Sequence, residues 1–444
     1  MRRRSRACDP AKLTTVRARR RAGPRRAETA AEAQPGAAAR YDRRIVYDPR
    51  LPAVIADPYP TFRRLQDADP VHTSAILGGR VVTRFADVRA CLTDERLSSD
   101  RITPFVRHRA GRHDAPLIET LGRTLGLWAV FTDPPKHTRL RALMNRTFTT
   151  RAVERLRPRI EAIVDELLAR VRDQGQMDLI RDFAYPLPIA VIGDMLGVPA
   201  ADRPTLKEWS DELATFVGSA VATPDKYERA AKGLVQMQDY FRGLLDARRR
   251  APKDDLTSAL ASAQAQDPTY ADDELVATAI LLLFAGHETT TNLIGNGMLA
   301  LLRHPDQLAR LRANPALAGS AVEEMLRYDG PSGAMVRVAA AEDAIDGATI
   351  APGERLFLMI NAANRDPRQF EEPDRFDVTR DPNRHIAFGA GIHFCVGAPL
   401  ARLEAQIAVP ALARLPGLAL ASDRLPWLDS LVFRGVTALP VDFS

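Results

Sequence analysis

The sequence is poor in cysteine, with Cys8, Cys91 and Cys395 among 444 residues. Three scattered cysteines cannot make a disulfide framework, so a reducing, cytoplasmic setting is expected. Long apolar runs are also missing. The longest, Leu275 to Gly286, is broken by Thr278. It is about a dozen residues, and a bilayer span needs roughly 18. No membrane partner is expected. No apolar h-region opens the chain, so no secretory signal is expected either. Lysine is scarce, 6 residues against 56 arginines.

Positive charge is lacking where a polyanion partner would need it. The formal net charge is +6, but residues 1–44 hold 14 Lys/Arg against 4 Asp/Glu. That segment is therefore at +10 and the other 400 residues are at −4. A nucleic-acid face needs basic residues organised on a folded surface, so none is expected. Residues 1–40 are Arg- and Ala-rich with almost no large apolar side chains. They cannot bury enough surface to offset the entropy of ordering, and disorder is expected. A transit peptide, a polyanion-binding arm or a membrane-surface anchor would each use such a segment. A dispensable extension, from a start codon placed too far upstream, is the simpler account. The arginine bias suggests a GC-rich coding sequence, in which accidental Arg runs are common.

What is present from about residue 41 onward reads as one globular domain. Hydrophobic content of 45% and charged content of 27% are globular values. Apolar residues at Ile160, Ile163, Val164, Leu167, Leu168 and Val171 make a helical stripe. Leu187–Leu196, Trp209–Phe216 and Tyr227–Leu245 are further helices. Asp272-Asp273-Glu274 opens a proline-free segment that predicts a helix of about 30 residues. Its middle is apolar all round, so it should cross the interior. Short strands are predicted at Arg80–Phe85, Met335–Ala339, Ala348–Ile350 and Leu356–Ile360. A C-terminal hairpin from Gly417–Ala421 and Val436–Leu439 is expected. The fold class is mainly α with small β-sheets (α+β).

The segment Phe388-Gly389-Ala390-Gly391-Ile392-His393-Phe394-Cys395-Val396-Gly397 carries the chemistry. Glycines 389, 391 and 397 allow tight turns and close approach to something flat. Cys395 precedes a predicted helix, Pro399–Val409, whose N-terminus favours a thiolate. A thiolate there is a good iron ligand. A lone cysteine is usually an inert small hydrophobe. The pattern F-x-x-G-x-[H/R]-x-C-x-G arises by chance in such a chain only about once in 20,000. A zinc reading of His393 and Cys395 fails, because a structural site needs four clustered ligands.

Ala285-Gly286-His287-Glu288-Thr289-Thr290 sits mid-way along the long helix. Ala285 and Gly286 remove bulk so that a ligand can approach the backbone. Thr289 can hydrogen-bond to the preceding turn and distort it. A Glu–Thr pair in an apolar helix is costly unless paired or functional. Glu324 and Arg327 lie at i and i+3 and face together. His137 and Arg141, at i and i+4, share another helix face.

With these motifs in this order, and with Asn361 to Pro367 and Pro373-Asp374-Arg375-Phe376 between them, the chain resembles the cytochrome P-450 family. It is similar to the soluble bacterial-type members over about 400 residues, and only the N-terminal extension departs from the pattern. The resemblance implies a single haem-thiolate monooxygenase domain over 41–444, with a long central helix above haem b (iron protoporphyrin IX). It implies that Cys395 binds the iron. Thr289 would stabilise the activated oxygen, and Glu288 would help relay the protons that break the O–O bond. His137, Arg141, Arg337 and His393 would hold the haem propionates. Ala285, Gly286, Phe388, Gly389 and Gly397 would also contact the cofactor, and His287 fills a variable position. Glu324, Arg327 and Arg375 would form a buried structural trio.

The implied reaction is hydroxylation or epoxidation of an apolar organic substrate, with an intermediate of secondary metabolism as one candidate. Electrons would come from NAD(P)H through a reductase and a separate ferredoxin or flavodoxin. That partner would dock near Arg139, Arg146 and Arg402. A monomer is expected. By the same analogy the substrate pocket draws on 102–130, 209–221, Leu283, Ser332, Gly333, Ala334, Leu431 and Val432. The small run Ser332 to Ala334 suggests room for a bulky, macrolide- or polyketide-like molecule. A peroxide-driven enzyme and a non-catalytic haem sensor or carrier are the rival readings. The acid–alcohol pair at Glu288 and Thr289 argues against both.

Overall fold

In a computed structural model, residues 45–112, 114–145, 148, 150–218 and 225–444 are described. The extension 1–40 and Arg146 lie outside them. The long helix runs Asp272–Arg303, 32 residues and about 48 Å at 1.5 Å per residue. Its first turn is acidic, and Glu274 Oε2 accepts the Ala271 N–H at 3.0 Å. Two glycines let other helices come close. A Cβ on Gly295 would stand 2.5 Å from Ile180, and one on Gly297 would stand 2.5 Å from the Met325 sulfur. The helix is therefore buried along most of its length, as its all-round apolar middle requires.

The other predicted helices are present and longer than their apolar stripes. They span Arg157–Val171, Pro186–Leu196, Arg203–Gly218, Lys226–Arg250 and Ala398–Ala413. In Lys226–Arg250 the added residues are mostly polar, whereas Ala398, Ala411, Leu412 and Ala413 extend the last helix within the core. Among the described residues, no helix is long and apolar enough to cross a membrane.

The largest sheet has five strands in the order Val71–Ser74, Gly79–Val82, Arg355–Met359, Ala334–Ala339, Leu97–Ser98. Gly79–Val82 runs parallel to Arg355–Met359, with Val81 opposite Phe357. The strand expected to reach Phe85 stops at Val82, and Phe85–Thr93 is a helix. Phe85, Val88, Cys91 and Leu92 turn one apolar face inward. Asp366 Oδ2 accepts the Phe85 N–H at 2.9 Å, a cap supplied from 281 positions away. The C-terminal pairing is shifted from expectation. Ala419–Leu420 pairs antiparallel with Pro440–Asp442, which also pairs with Gln176–Asp178. Val436 makes only an isolated bridge, to Trp427.

Glu324 and Arg327 are fully buried. Arg327 donates to both Glu324 oxygens, at 2.7 and 2.8 Å. It also donates to the carbonyls of Asn364, Pro373 and Arg375, at 3.1, 2.7 and 3.1 Å. Arg375 contributes only that carbonyl. Its guanidinium is 54% exposed and pairs with Glu372. The turn that bonds Arg375 N–H to Glu372 O points the carbonyl inward and the side chain outward. The third charged member is instead Arg380, 13% exposed and 3.2 Å from Glu324. Asp377 N–H and Asn383 Nδ2 complete the shell around the Glu324 carboxylate. A buried ion pair holds only when its remaining valences are filled in this way.

Candidate active site

The loop before the last long helix is shaped by its glycines. Gly389 and Gly391 take φ of +74° and +68°, where other residues are strained. The loop closes when Cys395 N–H donates to Phe388 O at 3.0 Å. The helix Ala398–Ala413 follows, with proline in its first turn. Burial pushes the Cys395 thiol up. The N–H groups of Gly397 and Ala398 and the charges of Arg141 and Arg402 pull the other way.

A cavity of about 240 Å³ opens over this thiol. Cys395, Phe388 and Leu400 are on the loop side, and Ala285, Gly286 and Thr289 come from the central helix. The Ala285 side chain is exposed to the cavity. A Cβ on Gly286 would stand 2.9 Å from Ile192, so this glycine also lets the Pro186–Leu196 helix pack closely. Thr289 Oγ1 donates to Ala285 O at 3.1 Å.

Glu288 does not line the cavity. It lies behind the wall, with Asn292 Nδ2 3.4 Å from its Oε1. Burial raises its pKa above the usual carboxylate range. The His287 and Lys207 charges oppose that, and Asp211 adds to it. His287 is 1% exposed and its Nδ1 meets Leu283 O at 2.7 Å. Ligand-type atoms of Asp211, His287 and Glu288 lie within 4.8 Å of one another, and Lys207 pairs with Asp211. The sequence reading missed Asp211 and Lys207. They sit on Arg203–Gly218, and nothing in that helix's own pattern points to Glu288.

Basic groups collect at one edge of the cavity. The rings of His137 and His393 are 4.2 Å apart. Burial, then Arg337, His137 and Arg141, push His393 down to about 3. Burial and the Arg141 charge lower His137, and burial lowers Arg141 and Arg337. His137 Nδ1 is buried with no hydrogen-bond partner among the described residues. Asp133 is held by Ser98 and by the Ser99 N–H, and Ser99 Oγ lies 2.9 Å from His393 Nε2. This edge has donors and positive charge in excess, which suits an incoming dianion.

Several expected substrate contacts lie elsewhere. Leu283 is 1% exposed in the core, and its neighbours Leu281 and Leu282 line the cavity instead. The cavity-facing positions follow helical phase from 281 and 282 through 285 to 289, which leaves Leu283 on the far side. Ser332 and Met335 reach the cavity, while Ala334 packs against Tyr47 and Phe357 on the opposite strand face. Gly333 is small for another reason. Its N–H donates to Val432 O at 2.8 Å, and a Cβ would stand 2.6 Å from Leu431 O. Leu431 and Val432 line a second cavity of about 680 Å³ with Ile102, Phe105 and Phe216. Of the proposed docking arginines, Arg139 is paired with Glu274 and Arg402 with Glu323.

The family model for cytochrome P450 matches residues 105–414. The chain belongs to the cytochrome P450 family. It is 43% identical to the cytochrome P450 monooxygenase PikC of Streptomyces venezuelae over 399 residues, 87% of this chain and 91% of that protein. It is 44% identical to vitamin D(3) 25-hydroxylase of Pseudonocardia autotrophica, over 87% of this chain and 93% of that one. The crystal structure of CalO2 superposes with a TM-score of 0.84 at 37% identity, covering 90% of this chain and 99% of CalO2. This P450 is therefore a monooxygenase, and membership implies a haem. The residues present suit that group: a thiol on one wall, small side chains opposite, and a basic edge short of anions.

Proposed function

We propose that this P450 inserts one atom of O2 into an apolar organic substrate, with Cys395 as the residue that would hold its haem iron. A thiolate-held haem supplies the electron density that favours O–O cleavage. The observation that carries the reading is the single cavity shared by the Cys395 thiol and the Thr289 hydroxyl. His137, Arg141, Arg337 and His393 would bind the propionates and fix the orientation of the ring. The positive charge of bound iron would reverse the balance that now keeps the Cys395 thiol protonated.

Thr289 stands where a proton is needed. Its hydroxyl is oriented by the Ala285 carbonyl and keeps its lone pairs free to accept from water. Burial favours the protonated form of Glu288, one residue away and behind the wall. Asp211 and Lys207 on the neighbouring helix connect that position with the surface. Proton transfer through positioned groups of this kind contributes about 10²- to 10⁴-fold to rate. Electrons would come from NAD(P)H through a reductase and a separate ferredoxin or flavodoxin.

The apolar wall of Leu281, Leu282, Ile192 and Met335 suits a hydrophobic substrate. Among the relatives are a 6-deoxyerythronolide B hydroxylase and a polyketide biosynthesis cytochrome P450, and an intermediate of secondary metabolism is proposed as the substrate here. The deciding experiment is the ferrous–CO spectrum. A strongly red-shifted Soret band is expected, and Cys395→Ala should lose it. An unshifted band in the wild type would sink the reading. Turnover that requires NADPH, reductase and ferredoxin, and that fails with peroxide alone, separates a monooxygenase from a peroxide-driven enzyme or a carrier.

A further inference from the structure

The larger cavity, about 680 Å³, has an unbalanced wall. Most of it is apolar, from Ile102, Phe105, Phe216, Leu431 and Val432. Its ionisable lining groups are Arg101, His108, Arg109, Lys226, Arg355 and the Tyr227 phenol; no Asp or Glu is among them. Some of this charge is already answered. Arg109 pairs with Asp114 at 2.8 Å and bonds the Tyr227 hydroxyl. Arg355 meets only neutral acceptors, the carbonyls of Leu77 and Gly78.

Arg101 is the exception. Its guanidinium stacks over the Phe131 ring, 4.5 Å from the centroid. It makes no side-chain hydrogen bond or ion pair among the described residues. Burial, and then the like charge of Arg337, push it down to about 10. A planar guanidinium packed on an aromatic face, with its donors unused, is a group prepared for a bidentate anion. The residue is half-buried, so a carboxylate would displace water from these donors. Arg101 lines this cavity and not the one that holds Cys395; of the groups assigned to the propionates, His137, Arg141 and His393 line the cavity of the thiol, and Arg337, the neighbour of Arg101, lines neither.

The geometry points to an apolar substrate that carries a carboxylate, bound through Arg101 while its hydrocarbon body fills the larger cavity. This rests on the monooxygenase reading, which makes the cavity beside the thiol the place of oxidation. For oxidation to fall on the body of the molecule, away from the acid group, that body would have to reach from the larger cavity to the thiol cavity, whose linings adjoin in sequence at Val130–Phe131 and Met335–Val336.

The test uses the full-chain holoenzyme and the substrate-induced spin shift. The probes are tetradecanoic acid and 5β-cholanic acid, each against its methyl ester. At least one acid is expected to bind about tenfold or more tightly than its ester, the scale of one charge-assisted hydrogen bond. Arg101→Leu should remove that preference while leaving ester affinity and haem content unchanged. Arg101→Lys should keep part of it. Equal affinity for acid and ester, or no spin shift with either acid, overturns the proposal. An Arg101→Leu protein that loses haem yet keeps the acid preference also overturns it, since the guanidinium would then serve the cofactor. A normal ferrous–CO band alongside any of these failures leaves the monooxygenase reading standing. Absence of that band sinks the reading itself.

Discussion

The guanidinium of Arg327 and the carboxylate of Glu324 face each other in two hydrogen bonds, 2.7 and 2.8 Å long, with neither side chain exposed to solvent. Every remaining valence of the pair is taken by backbone, by Asn383 or by Arg380. Removing one member leaves a buried charge unanswered, which costs about 3–5 kcal/mol. Arg327→Ala should therefore fail to fold or lose haem. Arg375→Ala, which keeps the carbonyl and deletes an exposed guanidinium, should stay within about 0.5 kcal/mol of wild type. Arg380→Ala should fall between them. Denaturant midpoints of the three variants check the order, and a large loss in Arg375→Ala would restore it to the charged network.

Thr289→Ala should divert electrons from product to peroxide. Product formed per NADPH is expected to drop by about tenfold or more. Glu288→Gln should slow turnover with less loss of coupling. Because burial raises the Glu288 pKa above its ordinary 4.5, the native protein keeps that proton to higher pH. Wild-type turnover should then decline as pH rises through the native value, and the Gln variant should lack that limb. A pH–rate comparison of the two proteins decides it.

Glu404 is 1% exposed, and neither carboxyl oxygen has a hydrogen-bond partner among the described residues. Burial lifts its pKa well above 4.5. The folded form therefore favours the protonated acid. Between the ordinary value and the native one the unfolded chain binds fewer protons, so stability falls as pH rises. Glu404→Gln removes that slope. The melting temperature of the variant, relative to wild type, should climb from pH 5 to pH 8. A difference that stays constant with pH would refute the assignment.

The basic edge predicts cofactor retention. Replacing Arg337 or Arg141 with Leu should speed haem loss to excess apomyoglobin by about tenfold to a hundredfold, the scale of one charge-assisted hydrogen bond. Unchanged loss rates in both variants would show that the propionates are held elsewhere.

Local pattern carried much of this in advance. The glycines around Cys395 and the acidic start of the Asp272–Arg303 helix act within a few residues of themselves, so their meaning survives in the linear chain. What stayed hidden depends on phase or on distance. Ala334 and Met335 differ by one position, yet strand alternation sends one to the core and the other to the cavity. Arg375 and Arg380 look equally able to reach Glu324, and only the turn at 372–375 decides between them. The Asp366 cap on Phe85, and Asp211 beside Glu288, join segments that no period links.

The parallel pairing of Gly79–Val82 with Arg355–Met359 has a consequence for biosynthesis. The first strands of that sheet leave the ribosome long before their partner exists. Ser99 meets His393 across 294 positions, so the basic edge cannot assemble until nearly the whole chain has been made. Closing contacts this distant is slow and leaves apolar surface waiting. A haem held by these residues would then be captured only late in the life of the nascent chain.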